Sequence, residues 1–572
     1  MTEEEREILI VRKRQVSEQL RRLDVGSYRL SATDRRLEEY VCEVAGNPEG
    51  HNLWEQLAVV HFLDMCDRYG LDSVRVRRFF AFYEFLHFPG KGGLVRYSLT
   101  PVQCFQFASV YGFWCNGQRV VRECALYVPR KFSKTTGSAA FALWDLLYGD
   151  ANAESYIGAN SQDQAKKCFD VIRGCVLKLD PDGTRYIVNK EIIKPTRRNT
   201  RPAFAQCLTA NARTKDGLNA SVIIMDEYSQ ARDATLFQVL TTSMGVRDNP
   251  LTVIITTASD VFDGPFYGML EGYKQVLLGN CPDDTLFAHL FEPDVGDRED
   301  DPATWRKVHP HLGITVHPEF YESEWRRAQR EGAEAKLAFR TKLLNIYCVD
   351  ERKSWIPAKL AREMSRKIEL TDIKGRPAAT VSMDLSVRGD FSAVTWGIYI
   401  RDIKSFFYYT AYFFPEGALT DHPNERLYRG WASQGYLRLT PGDVIDYRCI
   451  VEYILGLQPY LNIVAIGYDS YKAKEPVNML DASGARHVLR AVPQTLGAFT
   501  SACESFEVGA RTGHIIINSN PINHYCFGNA VLMTDNMDNC KPEKRQDTQR
   551  IDGVITMLMC HKLFGELYRT AE

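Results

Sequence analysis

The chain has 572 residues, too long for one ordinary domain, and its length points to two to four. A hydrophobic fraction of 45% and a charged fraction of 25% are those of a soluble globular protein, and no apolar run is long enough to span a bilayer. The net charge of −2 excludes a globally basic nucleic-acid binder, so any basic surface has to be local.

The N-terminus, MTEEEREILIVRKRQ, reads as a charged amphipathic helix, too acidic for a transit peptide and unlike a secretion signal, which places the protein in the cytosol. The 15 cysteines show no CxxC spacing and are expected as reduced thiols. Residues 1–95 read as mostly helical. Leu53, Leu57, Val60, Phe62 and Leu63 fall near helical spacing, and the aromatic-rich helix Phe79–Phe88 is broken by Pro89–Gly93. From Leu99 to Thr257 apolar runs alternate with helical segments. Ala125–Val128, Ser155–Ala159, Ser221–Met225 and Thr252–Thr257 are continuously apolar, as buried parallel strands are. A long helical stretch is expected near Glu322–Leu344. His309, His311 and His317 lie in a Pro-containing loop and read as solvated rather than metal-binding. Asp350–Pro377 reads as a linker. A second β-rich unit then starts at Ala378, with runs at Thr380–Leu385, Ala393–Ile400, Ser405–Phe413 and Ile463–Tyr468, and helices at Phe499–Ala510 and Arg550–Leu567.

The stretch Tyr127–Ser138, YVPRKFSKTTGS, joins an apolar run to a small-residue helix start. A phosphate loop needs backbone N–H groups converging at a helix N-terminus, a lysine for the β/γ-phosphates and a hydroxyl for Mg²⁺. Lys134 and Thr135 supply the last two, but Ser133 stands where a glycine with positive φ is usual. Taken alone, the stretch also reads as a basic surface turn. Downstream, Val222–Met225 runs into the adjacent acids Asp226 and Glu227, one able to hold a metal shell and the other to activate a water. A further apolar run ends in Thr256 and Thr257, the pattern of ATPases in which an extra strand between loop and acids senses the γ-phosphate. Loop, hydroxyls and acids together predict an ATP site with Mg²⁺.

In the second unit, Asp384 sits in the first strand, Asp469 at the tip of the strand from Ile463, and Asp552 in the opening of a largely apolar helix. Three acids so distributed can converge on two Mg²⁺ or Mn²⁺ ions that clamp the attacking water and the leaving oxygen of a phosphodiester. This is the ribonuclease-H-like nuclease layout. Asp390 is a possible extra ligand that reads more simply as a turn residue.

In order and type these motifs resemble the large terminase subunit of tailed bacteriophages, in the HK97-like branch, from about Leu99 to Leu567. LTPVQ (Leu99–Gln103), the VPRKFSKTT loop, IGANSQDQAKKCFD (Ile157–Asp170), Asp216–Asn219, TTAS (Thr256–Ser259), Pro302–Trp305 with His309–Pro310 and Leu312–Gly313, Asn345, Trp355, and the acids of MDLS, YDSY and RIDG carry the likeness. The resemblance implies an α/β fold: a helical region over 1–95, a RecA-like P-loop ATPase with its lid over 96–350, a linker over 351–377 and a ribonuclease-H-like nuclease over 378–572. It implies that Gln103, Arg130, Lys131, Ser133, Lys134, Thr135, Thr136, Asp226, Thr256 and Thr257 serve the nucleotide and that Glu227 polarises the attacking water. Asp384, Asp469 and Asp552 would serve the nuclease. An arginine finger from a neighbouring subunit would be Arg213 or Arg247. Implied partners are double-stranded DNA, the portal, a small terminase subunit and further copies in a ring, expected to be pentameric, in the cytoplasm of an infected bacterium and docked on the procapsid. The departures are Ser133 and Asp552–Gly553, where some members carry two adjacent acids; the latter shifts weight to Asp390 or a water. Two other functions fit parts of the pattern: an ATP-dependent helicase-nuclease, which would need a second phosphate loop not found here, and a degenerate ATPase kept as a ring component.

Overall fold

The computed structural model describes all residues except 1–2, 91, 160–161, 200, 210–216, 263, 349–354, 388, 421, 423, 471–472, 536, 545–548 and 570–572. It divides into two compact units, Met1–Val349 and Asp350–Glu572.

The first unit opens with helices α1 (Glu3–Arg22), α2 (Arg35–Gly46), α3 (Leu53–Tyr69), α4 (Ser73–Phe85) and α5 (Pro101–Tyr111). Side-chain caps set their starts: Asn52 accepts from the Glu55 N–H at 3.0 Å, Asp72 accepts from the Val74 and Arg75 N–H groups, and Thr100 with Gln103 forms a capping box. The sheet follows, with β1 (Glu123–Tyr127), β2 (Glu154–Ala159), β3 (Tyr186–Val188), β4 (Ile192–Pro195), β5 (Phe204–Thr209), β6 (Val222–Asp226), β7 (Leu251–Thr256) and β8 (Leu286–Leu290). Their spatial order is β8-β1-β7-β6-β2-β5-β4-β3, parallel from β8 to β5 and antiparallel beyond. Every residue of β6 and β7 is buried, which is why these runs are apolar without alternation. One strand, β7, separates the strand that feeds the loop from the strand that ends in the acids, the order of RecA-like ATPases with an inserted strand.

The helical region packs onto this sheet through α3 on β8. His289 of β8 is completely buried there. Gln106 donates its amide to the Nδ1 atom at 3.1 Å, so Nε2 carries the proton and donates to the Tyr40 hydroxyl at 3.0 Å, which in turn donates to Glu55 at 2.6 Å. Burial, helped by the charge on His51, holds the imidazole down at about 3.

The long helical stretch expected near Glu322–Leu344 is two helices, α7 (Pro318–Glu331) and α8 (Ala333–Lys342), which meet at Gly332, whose φ of 84° ends the first. The histidine loop is not solvated as expected. His309 and His311 are fully buried, and only His317 is exposed.

In the second unit the main sheet is built from β9 (Ser365–Arg366), β10 (Ala378–Asp384), β11 (Ser392–Ile400), β12 (Ser405–Pro415), β13 (Leu437–Thr440), β14 (Asn462–Tyr468), β15 (Leu489–Ala491) and β16 (Ile515–Asn518), beside a separate hairpin of Ala530–Thr534 and Cys540–Lys544. Their order is β9-β16-β12-β11-β10-β14-β15, with β13 beside β12. The core of three antiparallel strands, β12-β11-β10, followed by the parallel β14 and β15, is the ribonuclease-H-like arrangement. The segment expected as a linker carries the buried Trp355 and Ile356, a helix over Ala358–Met364 and strand β9, which pairs with β16. All 15 cysteines are free thiols, and no helix among the described residues is long and apolar enough to cross a membrane.

The His289 environment generates a pH prediction. A histidine held below its ordinary 6.5 in the folded chain contributes stability that is fully present above that value and is lost as pH falls toward about 3. The melting-temperature gap between the native chain and His289→Gln should therefore be widest near neutrality and narrow steadily from about pH 6.5 to pH 4. A gap that stays constant with pH contradicts the neutral, doubly bonded ring.

Candidate functional site

The loop between β1 and α6 (Lys134–Tyr148) has the shape a glycine would give it, although it contains none. Ser133 sits at φ 66°, ψ 31° and Lys131 at φ 71°. A non-glycine residue in this region carries strain of about 1–2 kcal/mol. Ser133 makes no side-chain cap to α6, so the first-turn N–H groups are not committed to it.

Because β1, β7 and β6 are parallel neighbours, their C-terminal tips lie side by side, and Lys134 joins all three. Its ammonium donates to Glu227 Oε1 at 2.6 Å and to the Thr257 hydroxyl, which itself donates to the Val128 carbonyl at 3.0 Å. Glu227 lies past the end of β6 in the left-handed region, at φ 52°, with its N–H donated to Ile255 O at 2.9 Å. This twist separates its carboxylate from that of Asp226, which ends the strand and is buried. Burial first, then the Glu227 charge, pushes the Asp226 carboxyl up to about 6, against the pull of Lys134. An acid so placed beside a lysine suits a divalent cation and its phosphate.

The two threonines part company. Thr257 meets Lys134, whereas Thr256 is fully buried and accepts from the Ser229 N–H at 3.0 Å. Thr135 and Thr136 are half-buried in the first turn of α6, and Thr136 donates to Ser133 O at 3.0 Å. Arg130 and Lys131 are exposed. Gln103, expected to touch the nucleotide, is buried with its carboxamide oxygen on the Thr100 N–H and hydroxyl, each at 3.1 Å. Its link to the loop runs through Tyr83, whose hydroxyl reaches Thr136 at 3.4 Å. Arg247 is buried and binds Asn152 and the Asn219 carbonyl, so it braces the sheet and is not presented to a neighbour. Arg213 and Asp216 lie outside the described residues.

A segment far along the chain clamps the loop. His309 Nε2 meets the Arg130 carbonyl at 3.0 Å, Thr315 donates to Lys131 O at 2.6 Å, and the His311 ring stacks on Phe132 with centroids 4.4 Å apart. Burial keeps both rings neutral, at about 4 for His309 and about 3 for His311.

In the second unit Met383 of β10 pairs with Tyr468 of the parallel β14, which makes Asp384 and Asp469 neighbours at the strand tips, on the same side of the sheet. Asp552 is the first residue of α9 (Asp552–Arg569), which packs across β10 and β11. Its Oδ2 atom is buried without a hydrogen-bond partner. Burial, then the charges of Asp384 and Asp390, push its carboxyl up to about 8. A partnerless buried oxygen facing two other acids fits a divalent cation. Among the described residues no cluster of three His, Cys, Asp or Glu side chains is already drawn together as a metal cage. Asp390 is instead engaged by Arg550 and by Lys544, the latter at 3.4 Å, and Arg550 also donates to Gly389 O at 2.9 Å. A Cβ on Gly553 would stand 1.8 Å from the Tyr412 hydroxyl oxygen, so the second acid found in some terminases has no room here. Sequence reasoning missed Lys544 and Arg550, and the clamp residues His309, His311 and Thr315; their partners lie too far away along the chain for spacing to show.

A helix-start lysine bonded to an acid and a hydroxyl from two neighbouring strand tips, and acids at two strand ends and a helix start of a ribonuclease-H-like unit, are the features of a P-loop ATPase joined to a metal-dependent nuclease. Residues 101–275 match the family model for the terminase large subunit, ATPase domain, and residues 280–566 that for the terminase large subunit, endonuclease domain. The second match begins inside the first unit, although β8 belongs by hydrogen bonding to the ATPase sheet. Among curated proteins, Protein YmfN of Escherichia coli K12 is 27% identical over 372 residues, 62% of this chain and 79% of its own. The terminase large subunit of Enterobacteria phage HK97 is 25% identical over 455 residues, 76% of this chain and 85% of its own. The crystal structure of the HK97 bacteriophage large terminase aligns with a TM-score of 0.49 and 22% identity over 86% of this chain and 99% of that one. The chain belongs to the terminase large-subunit family, in its HK97-like branch, and is an ATPase and endonuclease of DNA packaging that uses nucleotide and divalent metal.

The tight fit at Gly553 makes Gly553→Ala destabilising by about 1–3 kcal/mol in urea unfolding, with loss of DNA cutting, since the first turn of α9 must move to clear Tyr412. An alanine variant as stable as the native chain would show that the turn yields freely.

Proposed function

We propose that ATP hydrolysis at the Lys134 site drives double-stranded DNA into a procapsid through the portal, and that the Asp384, Asp469 and Asp552 site cuts concatemeric DNA at the start and finish of packaging. The observation that supports this most directly is the bridge from Lys134 to Glu227 and Thr257 across three adjacent strand tips.

Lys134 would hold the β- and γ-phosphates, Thr135 and Asp226 would hold Mg²⁺, and Glu227 would polarise the attacking water. The first-turn N–H groups and the loop from Arg130 to Thr136 cradle the remaining phosphate oxygens. In the structure Lys134 and Glu227 neutralise each other. A phosphate that takes the ammonium frees the carboxylate for its water. Thr257 shares the same lysine and so registers the exchange, while Thr256 anchors the turn after Glu227.

In the nuclease unit Asp384, Asp469 and Asp552 would hold two Mg²⁺ or Mn²⁺ ions. Such a pair, when bound, supplies an activated water and a stabilised leaving oxygen. Asp390, pinned by Arg550 and Lys544, keeps the β10–β11 turn against the start of α9. The partners are DNA, a small terminase subunit, the portal and further copies in a pentameric ring, in the cytoplasm of the infected host and docked on the procapsid during packaging.

Lys134→Ala should abolish DNA-stimulated ATP hydrolysis and leave cutting of plasmid DNA in Mg²⁺ intact. Persisting turnover in the purified variant would move the nucleotide site elsewhere. Conversely, Asp384→Asn, Asp469→Asn and Asp552→Asn should each lose plasmid cutting while keeping ATPase activity and a native melting profile. Any one of the three that still cuts is not a ligand.

A further inference from the structure

Lys342, the last residue of the helix Ala333–Lys342, reaches the ATPase site from outside every motif named so far. Its ammonium donates to the Ala258 carbonyl at 3.0 Å, one residue beyond Thr257. Its own carbonyl accepts the Arg130 N–H at 3.0 Å, from the middle of the phosphate loop. One residue therefore ties the loop to the tip of β7. Three residues later, Asn345 repeats the connection. It accepts the Ala258 N–H at 2.8 Å through its side chain, donates to Phe291 O at 2.7 Å, and its carbonyl takes the Tyr127 hydroxyl at 2.8 Å. This second tie fixes the turn and limits where Lys342 can reach.

The charges around Lys342 are mixed. Its ammonium is largely buried and is influenced by Arg130 and Lys134 on one side and by Glu227 and Asp260 on the other. Burial, reinforced by Arg130 and Lys134, holds it below the usual lysine range. Lys134 is already matched by Glu227. Arg130, Lys134 and Lys342 thus meet at one loop with the carboxylates of Glu227 and Asp260, and a lysine has three donors, of which the Ala258 carbonyl takes one. A salt bridge elsewhere would place Lys342 against a carboxylate. Here its hydrogen-bond partner is a backbone carbonyl at the end of the phosphate-sensing strand.

We propose that Lys342 is a second phosphate-binding cation of the ATPase site, contacting the terminal phosphate of ATP and thereby drawing the segment around Ala333–Asn345 onto the tip of β7 in the triphosphate state. The inference rests on Tyr127–Ser138 being the nucleotide loop. It names a residue by which ATP is told from ADP, and a path by which that difference leaves the site: Lys134 to Thr257, Ala258 to Lys342, and from Lys342 into its helix.

The test is nucleotide binding by the full chain, read as fluorescence of N-methylanthraniloyl-ATP and -ADP titrated in Mg²⁺. Lys342→Gln keeps a donor for Ala258 O and removes the charge. It should reduce the preference for ATP over ADP about tenfold, the size of one charge-assisted hydrogen bond, with ADP affinity unchanged, and Lys342→Arg should restore the preference. A native preference in Lys342→Gln overturns the proposal. So does an equal loss of ATP and ADP affinity, which would mean that Lys342 acts only by shaping the loop. Lys134→Ala in the same titration separates this from the parent reading. If that variant binds both nucleotides normally, the loop itself has been misassigned. If it loses them while Lys342→Gln stays native, only the role of Lys342 falls.

Discussion

The first unit depends on one ammonium. Lys134 is the first residue of its helix, is mostly buried, and satisfies its charge by reaching an acid and a hydroxyl delivered by two other strands. Each of those strands has to end at the same level for this to work. That requirement accounts for the parallel pairing, for the unbroken apolarity of β6 and β7, and for the left-handed residues at Ser133 and Glu227, where the chain leaves the sheet. The strain at these two positions is local and modest, of the order of 1–2 kcal/mol each. The packing of β1, β6 and β7 in the core overdetermines it.

The loop is also held from behind. His309, His311 and Thr315 bind or stack on consecutive loop residues, Arg130 to Phe132, and burial keeps the two rings neutral. Protonated imidazoles would add positive charge beside the cations of the loop and repel them. A neutral clamp fixes the backbone and leaves the electrostatics to Lys134. The second unit divides labour in the same way. Arg550 and Lys544 are engaged with Asp390, while Asp552 keeps a buried carboxylate oxygen with no hydrogen-bond partner beside the charge of Asp384.

What could be read in the sequence was whatever has a period or a fixed spacing. Buried parallel strands have no polar face, so Val222–Asp226 and Leu251–Thr256 were visible to within a residue or two, and their terminal acids and hydroxyls came with them. The strand tips that carry Asp384 and Asp469 were visible for the same reason. Three things were not. The burial of His309 depends on a carbonyl 179 positions earlier, and no local pattern encodes it. A two-residue strand such as Ser365–Arg366 has no alternation to detect, so the segment around it looked like a linker. The serine at 133 suggested a different loop, because sequence shows which residues favour positive φ and not which are forced into it by their surroundings. Gly553 is the reverse case: the missing second acid looked like a weakness in the site and is a matter of room beside Tyr412.

The two borders of the ATPase sheet are unlike its centre. On one side the last strand, β3, is only three residues long and belongs to an antiparallel hairpin; on the other, β8 lies under α3. Neither offers a long, flat row of unpaired backbone groups onto which another chain could zip. Copies of this protein arranged as the proposed ring requires would not be joined by extending this sheet from one subunit to the next. Contacts of other kinds can be made and released with each turnover, where a shared β-ladder would lock neighbouring subunits together.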